Sequence, residues 1–292
     1  MSDEIRDAYE EVPYDTRPQP HTHPAHLAAL AARHGIETTA FSRCRVLELG
    51  CGNGNNLLAM ALQLPGSTFV GVDLVAPPSA VPNVELRAMS IMDVDAGFGP
   101  FDFIICHGVF SWVPVEVQQK IFAICRGNLA PNGIAYISYN TFPGWHFRGA
   151  VRDLVRFHTR DGGSALERTE QALRLIRFMT DGAENLDHWY AKYLLTMRNV
   201  LEEIASPSYF VHEYLAPTNE PLYFRDFIAR AARHQLRYVC EADVDATESI
   251  AERFREFTND RVELEQYVDF LIGRVFRRTL LTIGVAAATP IS

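Results

Sequence analysis

Apolar runs of strand length recur along the first half of the sequence, and stretches with a helical apolar period lie between several of them. The runs predict strands at residues 45–49, 68–72, 84–89, 101–106 and 133–138, and the periodic stretches predict helices at 24–34, 56–64 and 115–129. Strands that alternate with helices form a parallel sheet whose two faces are both covered. The pattern therefore predicts an α/β fold.

The pattern changes after Trp145, where long amphipathic helical segments follow one another without a convincing strand. Beyond Pro207 the mixed pattern returns, with an extended stretch expected at Tyr209–Tyr214, helices at 221–234 and 260–276, and strands at 237–242 and 277–283. We predict four regions: an N-terminal arm and helix (1–35), a cofactor-binding core (36–148), a helical insertion after the fifth strand (149–208), and a C-terminal part that completes the sheet (209–292). The insertion is expected to serve as a lid, a substrate-recognition region or a homodimer contact.

Composition and charge narrow the range of partners. With 48% apolar residues, a chain of 292 residues can bury a large core. The formal charge of −9 gives no electrostatic attraction to a phosphate backbone, so no nucleic-acid partner is expected. The acidic N-terminus does not resemble a signal peptide, and no apolar run is long enough to span a bilayer. A cytoplasmic protein without a membrane partner is predicted.

Cysteine and histidine usage gives no signal for a disulfide or a metal. The five cysteines form no C-x-x-C pair and are expected to be reduced, mostly buried thiols. His21, His23 and His26 lie close together, but Pro24 interrupts their spacing and no acidic or thiol partner stands beside them. No metal site is therefore predicted.

A glycine-rich turn follows the first predicted strand and carries the strongest chemical signal. It reads Glu48-Leu-Gly50-Cys51-Gly52-Asn53-Gly54-Asn55, and Asp73 ends the next strand nineteen residues after Gly54. Glycines permit a tight turn and the close approach of a ligand, and a carboxylate in the position of Asp73 can accept both ribose hydroxyls. These residues predict a nucleoside-cofactor site.

The spacing of the glycines bears on which cofactor binds. Dinucleotide sites favour G-x-G-x-x-G, whereas this loop reads G-x-G-x-G with Asn55 in the sixth place. Glu48 stands two residues before the first glycine and suits the cationic methionine moiety of S-adenosylmethionine (SAM) better than a pyrophosphate. SAM is the predicted cofactor, with a nicotinamide cofactor as the alternative.

The glycine-rich turn, read from Arg45 to Gly54, resembles motif I of class I SAM-dependent methyltransferases. Separate segments resemble, more closely, bacterial methyltransferases that carry a methyltransferase regulatory domain; they include Tyr14-Asp15, His23-Pro24, 107–114, 138–146, 212–215, 265–267 and 276–280. The resemblance implies a Rossmann-like class I methyltransferase sheet and SAM as cofactor. Because the family includes protein-lysine methyltransferases that act on outer-membrane proteins, it also brings a protein substrate into consideration.

The predicted cofactor site extends beyond the glycine-rich turn to Leu74, Asp93, His107 and Gly108. Asp93 follows the third strand, where related enzymes reach the adenine amino group. Between Asp73 and Val84 the sequence has ten residues rich in proline, so the helix that the family has there is expected to be missing. The adenosine side of the cofactor would then be more exposed, or covered by the N-terminal arm. Relatives commonly continue past residue 281 with a further domain, so the resemblance does not imply that substrate recognition by such a domain applies to this sequence.

Candidate catalytic residues lie after the fourth and fifth strands. Methyl transfer from a sulfonium is an in-line displacement, so alignment and desolvation carry much of the catalysis, and a base is needed for a protonated acceptor. His107 follows the fourth strand, at the carboxyl edge where such sheets bind ligands, and fits either a base or a buried, hydrogen-bonded histidine. Tyr139 and His146 are the next candidates.

Three functions are consistent with these residues. The leading hypothesis is a SAM-dependent methyltransferase of a small molecule or natural product, the alternative is a protein-lysine N-methyltransferase, and the third is a SAM-binding regulatory protein without turnover. DNA is not expected as the acceptor, because the stretch after the fourth strand reads Cys-His-Gly-Val-Phe instead of an Asp/Asn-Pro-Pro-aromatic signature, and no Pro-Cys pair occurs.

Overall fold

The computed structural model describes residues 17–202, 207–243 and 248–284. Within them the chain divides into two compact units, one of residues 145–217 and one of residues 17–144 and 218–284. The predicted N-terminal arm falls largely on residues 1–16 and the end of the predicted C-terminal part on residues 285–292, and both stretches lie outside the described residues.

The larger unit is built on a seven-stranded sheet. Its strands are β1 (Arg45–Leu49), β2 (Thr68–Asp73), β3 (Val84–Ala88), β4 (Phe101–Cys106), β5 (Leu129–Asn140), β6 (Arg237–Glu241) and β7 (Phe276–Thr282). They lie in the order β3-β2-β1-β4-β5-β7-β6, with β7 antiparallel to both of its neighbours and the remaining adjacent pairs parallel. The predicted α/β, Rossmann-like sheet is confirmed.

The α-helices are, in chain order, α1 (Pro24–Arg33), α2 (Asn55–Gln63), α3 (Val115–Asn128), α4 (Gly144–His158), α5 (Ala165–Thr180), α6 (Trp189–Glu202), α7 (Pro207–Phe210), α8 (Phe224–Arg233), α9 (Glu248–Glu252) and α10 (Arg261–Ile272). In the part of the chain that the structure describes, none of the helices has both the length and the apolar character needed to cross a bilayer.

Apolar side chains cover the sheet on both faces. On one face, Ile121 and Phe122 of α3 belong to the same buried cluster as Ile104 of β4. On the other face, Leu27 of α1 and Leu57 of α2 share a buried cluster with strand residues. Because consecutive strand residues point to opposite faces, central strands between two such cores read as continuous apolar runs. This explains why the sequence revealed β4 so clearly.

The connection from β2 to β3 has no helix. Residues 74–83 are all described, and they contain only turns, a bend and irregular backbone. The expectation drawn from the proline-rich sequence of this link is therefore confirmed. β3 still pairs in parallel with β2, with Asp73 opposite Ala88, so the short link keeps the register of the sheet.

The smaller unit is helical and contains α5, α6 and α7 together with most of α4. Its buried cluster includes Val155, Ile176, Met197 and Tyr214. The extended stretch expected at Tyr209–Tyr214 is wrong, because α7 is followed there by a π-helical turn at Val211–Leu215. Aromatic and β-branched residues favour strands in isolation, but burial of Tyr214 in the helical core overrides that preference.

A buried ion cluster ties the last part of the sheet together. Arg277 of β7 is 0% exposed; its Nε lies 2.8 Å from Oδ2 of Asp269, and Nη1 lies 2.9 Å from Oε1 of Glu241. Its Nη2 donates to Glu265 Oε2 at 3.0 Å, and the guanidinium stacks over the Phe224 ring. Burial works against the charge of Arg277, but the carboxylates outweigh it and raise the pKa of the guanidinium. One side chain thus joins β6, β7, α8 and α10.

We expect Arg277→Met to lower the free energy of unfolding by about 3–5 kcal/mol, because buried carboxylates lose their counter-ion. Chemical denaturation followed by circular dichroism measures the change. Arg255→Met is the matched control, since Arg255 pairs with Glu252 at the surface and its loss should change stability little. Equal effects of the two substitutions would contradict the role assigned to the cluster.

Candidate functional site

The glycine-rich turn joins the end of β1 to the start of α2. The amide nitrogens of Gly50 and Cys51 donate to the Val72 carbonyl at the end of β2, at 2.7 and 3.2 Å. Gly50 and Gly54 have φ values of 75° and 80°, a region that favours glycine. A Cβ atom at Gly50 would also collide with the Val109 side chain, so this position requires glycine for space as well as for conformation.

Asp73 ends β2 and lies beside the glycine-rich turn, at the edge of the sheet where the parallel strands have their carboxyl ends. Its Oδ2 accepts a hydrogen bond of 2.8 Å from the Gly52 nitrogen, and its Oδ1 accepts one of 3.2 Å from the Val75 nitrogen. The carboxylate therefore fixes the turn and holds its own position at the end of β2. Each carboxylate oxygen can accept a second hydrogen bond, so the two ribose hydroxyls of a nucleoside are compatible partners.

Glu48 lies beneath the turn and is 4% exposed. Its Oε1 accepts a hydrogen bond of 2.9 Å from Asn56, while its Oε2 is buried and has no hydrogen-bond partner among the described residues. Asn56 is held in turn by Thr22, whose Oγ1 accepts from the Asn56 amide at 3.1 Å, and by the Gln19 nitrogen at 2.9 Å. Residues just before α1 thus brace the side chain that orients Glu48.

Burial raises the pKa of Glu48 to about 8, since the charged form is poorly solvated, and the nearby Asp73 carboxylate also raises it. The hydrogen bond from Asn56 works in the opposite direction. A buried carboxyl oxygen without a partner is costly unless a ligand satisfies it. A cation is the ligand that fits best, so the loop, Asp73 and Glu48 suit a cationic nucleoside such as SAM.

His107 lies directly after β4, at the same edge of the sheet. Its Nδ1 is 2.9 Å from the hydroxyl of Tyr136 in β5, and its ring meets Phe276 of β7 edge to face. Gly108 follows with a φ of 69°, and a Cβ atom there would meet nothing within 4 Å. The Gly108 nitrogen donates to Ser138 Oγ at 2.8 Å. The backbone beside His107 therefore borders open space.

The electrostatic surroundings keep His107 neutral. Burial lowers its pKa to about 4, and the neighbouring Arg278 guanidinium contributes in the same direction. Arg278 itself is paired with Asp243 at 2.6 Å, and His21 Nδ1 lies 3.5 Å from the other oxygen of Asp243. At neutral pH the imidazole is uncharged and its Nδ1 is engaged by Tyr136.

The other predicted site residues have different surroundings. Tyr139 is 1% exposed, bonds to Thr279 Oγ1 at 3.1 Å and stacks on Phe227, within the core on the face opposite Tyr136. His146 lies in the first turn of α4, in the helical unit. Asp93 is exposed in a short 3₁₀ turn after β3, and Leu74 is partly buried directly after Asp73. The structure thus groups Glu48, the glycine-rich turn, Asp73, His107 and Gly108, but it does not bring Tyr139 to their edge.

The three clustered histidines serve separate contacts. His23 Nδ1 accepts from the Ala25 nitrogen and caps α1, His26 Nε2 bonds to the Ala242 carbonyl at 2.8 Å, and His21 faces Asp243. Among the described residues no group of His, Cys, Asp and Glu is arranged to hold a metal ion. The five cysteines are free and buried.

Sequence reasoning missed several residues that shape this edge, chiefly Asn56, Tyr136, Asp243 and Arg278. Asn56 directly follows the glycine-rich turn, so its position was the available signal. Arg278 lies within a segment of family resemblance, but nothing in its local pattern indicates a contact with a residue in the first half of the chain. Such long-range pairs require the sheet order, in which β7 inserts beside β5.

Two family models match the chain. A methyltransferase domain matches residues 21–155, and a predicted methyltransferase regulatory domain matches residues 206–282. The two segments together cover most of the larger unit, including every residue of the edge described above.

Two proteins of Rickettsia prowazekii are similar in sequence. RP789, described as uncharacterized, is 38% identical over 289 residues, which are 94% of this chain and 52% of RP789. RP028, also described as uncharacterized, is 37% identical over 236 residues, which are 77% of this chain and 94% of RP028.

PKMT2 from Rickettsia typhi is similar in structure, with a TM-score of 0.81 and 34% identity over 95% of this chain and 55% of PKMT2. Its complex with AdoHcy, the product that SAM leaves after methyl transfer, matches with a TM-score of 0.79 and 35% identity over 92% of this chain and 55% of that one. The chain thus spans about half the length of RP789 and PKMT2. Sequence, fold and site together identify it as a member of the class I SAM-dependent methyltransferases that carry a methyltransferase regulatory domain.

Proposed function

We propose that this chain transfers a methyl group from SAM to an acceptor that binds beside His107. The observation that carries the proposal is the unpartnered, buried Oε2 of Glu48 beneath a turn of left-handed glycines. A bound cation would satisfy that oxygen, and the Asp73 carboxylate at the end of the next strand can accept hydrogen bonds from a ribose. The family membership and the AdoHcy complex of PKMT2 support the same cofactor.

We propose that different residues of this edge bind different parts of SAM. Gly50, Gly52 and Gly54 bring the backbone close to the ligand, Asp73 would hold the ribose, and Glu48 would face the cationic methionine moiety. SAM supplies an electrophilic methyl group on a sulfonium, so the protein has to align the acceptor and exclude water. His107 and Gly108 border the open space in which an acceptor would approach.

For the acceptor we propose a lysine side chain of a protein, with a small molecule as the second candidate. The likeness to PKMT2 over 95% of this chain supports the first. Lysine must lose a proton before it attacks a methyl group. His107 is poorly suited to take that proton, because its pKa of about 4 makes it a weak base at neutral pH. Tyr139 is enclosed in the core, and we propose for it a structural role.

We expect Asp73→Ala to weaken SAM binding by roughly 10- to 100-fold, because hydrogen bonds to a charged group contribute about 1.5–3 kcal/mol. Isothermal titration calorimetry measures the dissociation constant. Asp102→Ala is the matched control, since the Asp102 carboxylate accepts a hydrogen bond of 2.8 Å from the Arg45 nitrogen at the opposite edge of the sheet. Unchanged affinity in the Asp73 variant would overturn the assigned site.

We expect SAM binding at pH 7 to release close to one proton from Glu48. With a pKa of about 8, Glu48 is mostly protonated in the free protein, and a bound cation stabilises the carboxylate. Affinity should therefore rise as the pH increases from 6 towards 8. Calorimetry in two buffers with different ionisation enthalpies counts the protons.

Glu48→Gln removes the titrating group and keeps the size of the side chain, so it should bind SAM without releasing a proton. Titration with AdoHcy, which has the same amino-acid end but no sulfonium, tells which of the two cations Glu48 faces. Proton release that persists in the Gln variant would contradict this role of Glu48.

Methyl-labelled SAM, incubated with the purified chain and a cell lysate, tests the acceptor class. We expect label in protein that yields methyl-lysine after hydrolysis, and much less label with Asp73→Ala when SAM is kept below its dissociation constant. Label confined to low-mass compounds would favour the small-molecule acceptor. Binding of SAM without any label transfer would favour the regulatory function over both.

A further inference from the structure

The tautomer of His107 can be derived from the surroundings of the Tyr136 hydroxyl. The Tyr136 hydroxyl lies 2.9 Å from His107 Nδ1, and the positive charge of the neighbouring Arg278 guanidinium acts on this hydroxyl. Tyr136 is 0% exposed. Arginine is a cation without an acceptor, so it disfavours an O–H group that points towards it, and a buried O–H group without an acceptor is costly. Among the described residues, His107 Nδ1 is the one acceptor bonded to the Tyr136 hydroxyl.

The proton of Tyr136 therefore points to His107. A neutral imidazole carries one N–H, and a nitrogen that accepts a hydrogen bond is the one without it. Nδ1 is the acceptor, so the N–H of the ring is at Nε2. No hydrogen bond to a described residue engages Nε2, and His107 is partly exposed next to the open space at Gly108. His107 thus presents a donor to that space.

We propose that Tyr136 and Arg278 are positioning residues that hold His107 as an Nε2–H donor, and that His107 selects acceptors that present a hydrogen-bond-accepting oxygen to it, as a protein substrate can do through its main-chain carbonyls. Asp243 completes the arrangement, because its 2.6 Å contact fixes the Arg278 guanidinium. The selection of the acceptor rests on the proposed function, whereas the tautomer does not. In this arrangement His107 does not remove the acceptor proton, which is lost to solvent before methyl transfer.

The neighbours of His107 support a fixed ring. Phe276 contacts it edge to face, with ring centroids 6.1 Å apart, and Arg278 in turn stacks over Phe276. Arg278 and Phe276 are two residues apart on β7 and therefore lie on the same face of the sheet. The charged and titratable groups that face His107 from the packed elements are Arg278, His21, Asp243 and Tyr136.

Long-range ¹H–¹⁵N correlation spectra of ¹⁵N-histidine-labelled protein report the tautomer directly. We expect His107, assigned by the signal lost in His107→Gln, to show a protonated Nε2 and an unprotonated Nδ1 at pH 7. Tyr136→Phe removes the hydrogen bond to Nδ1, and the ¹⁵N chemical shifts of Nδ1 and Nε2 should then move towards each other. A protonated Nδ1 in the wild type would overturn the proposal.

Tyr139→Phe is the matched control, because it removes a buried hydroxyl from the same strand that bonds to Thr279 instead of His107. The His107 shifts should stay unchanged in it. Should Tyr136→Phe fail to fold, Arg278→Gln is the second test, because it removes the charge that orients the Tyr136 hydroxyl. Unchanged ¹⁵N shifts of His107 in a folded Tyr136→Phe or Arg278→Gln variant would also overturn the proposal.

The methyl-labelling assay adds a second test. A glutamine at position 107 can place an N–H near Nε2, whereas an asparagine reaches only the region of Nδ1. We expect His107→Gln to keep most of the labelling rate and His107→Asn to lose about tenfold. Equal losses would contradict the donor role. A confirmed tautomer without label transfer would remove the proposed function and leave the positioning of His107 intact.

Discussion

The antiparallel strand β7 is the constraint on which both the core and the site depend. Its neighbouring residues Arg277 and Arg278 point to opposite faces of the sheet, as strand geometry requires. Arg277 is enclosed by carboxylates from β6 and α10 and stabilises the packing of the last third of the larger unit. Arg278 faces Tyr136 and Asp243 on the other side. A slip of β7 by one residue would exchange these two roles and disrupt the core and the site together.

The site contains a buried carboxyl group and a buried imidazole, and burial disfavours the charged form of each. Glu48 retains a proton because burial disfavours its charge, and a bound cation would give its carboxylate a partner. His107 remains neutral because burial and Arg278 disfavour its cation. The free protein therefore avoids two buried charges at this edge. Binding of a cation would then create charge where a counter-ion is present, which costs less than keeping an isolated buried carboxylate.

The sequence was most informative where local pattern and fold agree. The strand at 101–106 was predicted with its observed ends, because a strand buried on both faces is a continuous apolar run. The turn between β1 and α2 was predicted because closely spaced glycines indicate a turn by themselves. The stretch Tyr209–Tyr214 was mispredicted because the aromatic residues that favour a strand are buried in a helical core. The tautomer of His107 depends on residues 29 positions or more away along the chain, so no local pattern could reveal it.

The two segments matched by family models do not act as separate modules in the larger unit. His107 and Tyr136 belong to the methyltransferase segment, whereas Arg278 and Asp243 belong to the regulatory segment. The Tyr136 hydroxyl, which bonds to His107, feels the charge of Arg278 across the pairing of β5 with β7. A change in the packing of the regulatory segment that moved Arg278 would remove a charge that orients the Tyr136 hydroxyl and, through it, His107. Regulation by this segment would then need no long pathway, because its residues already lie in contact with the site.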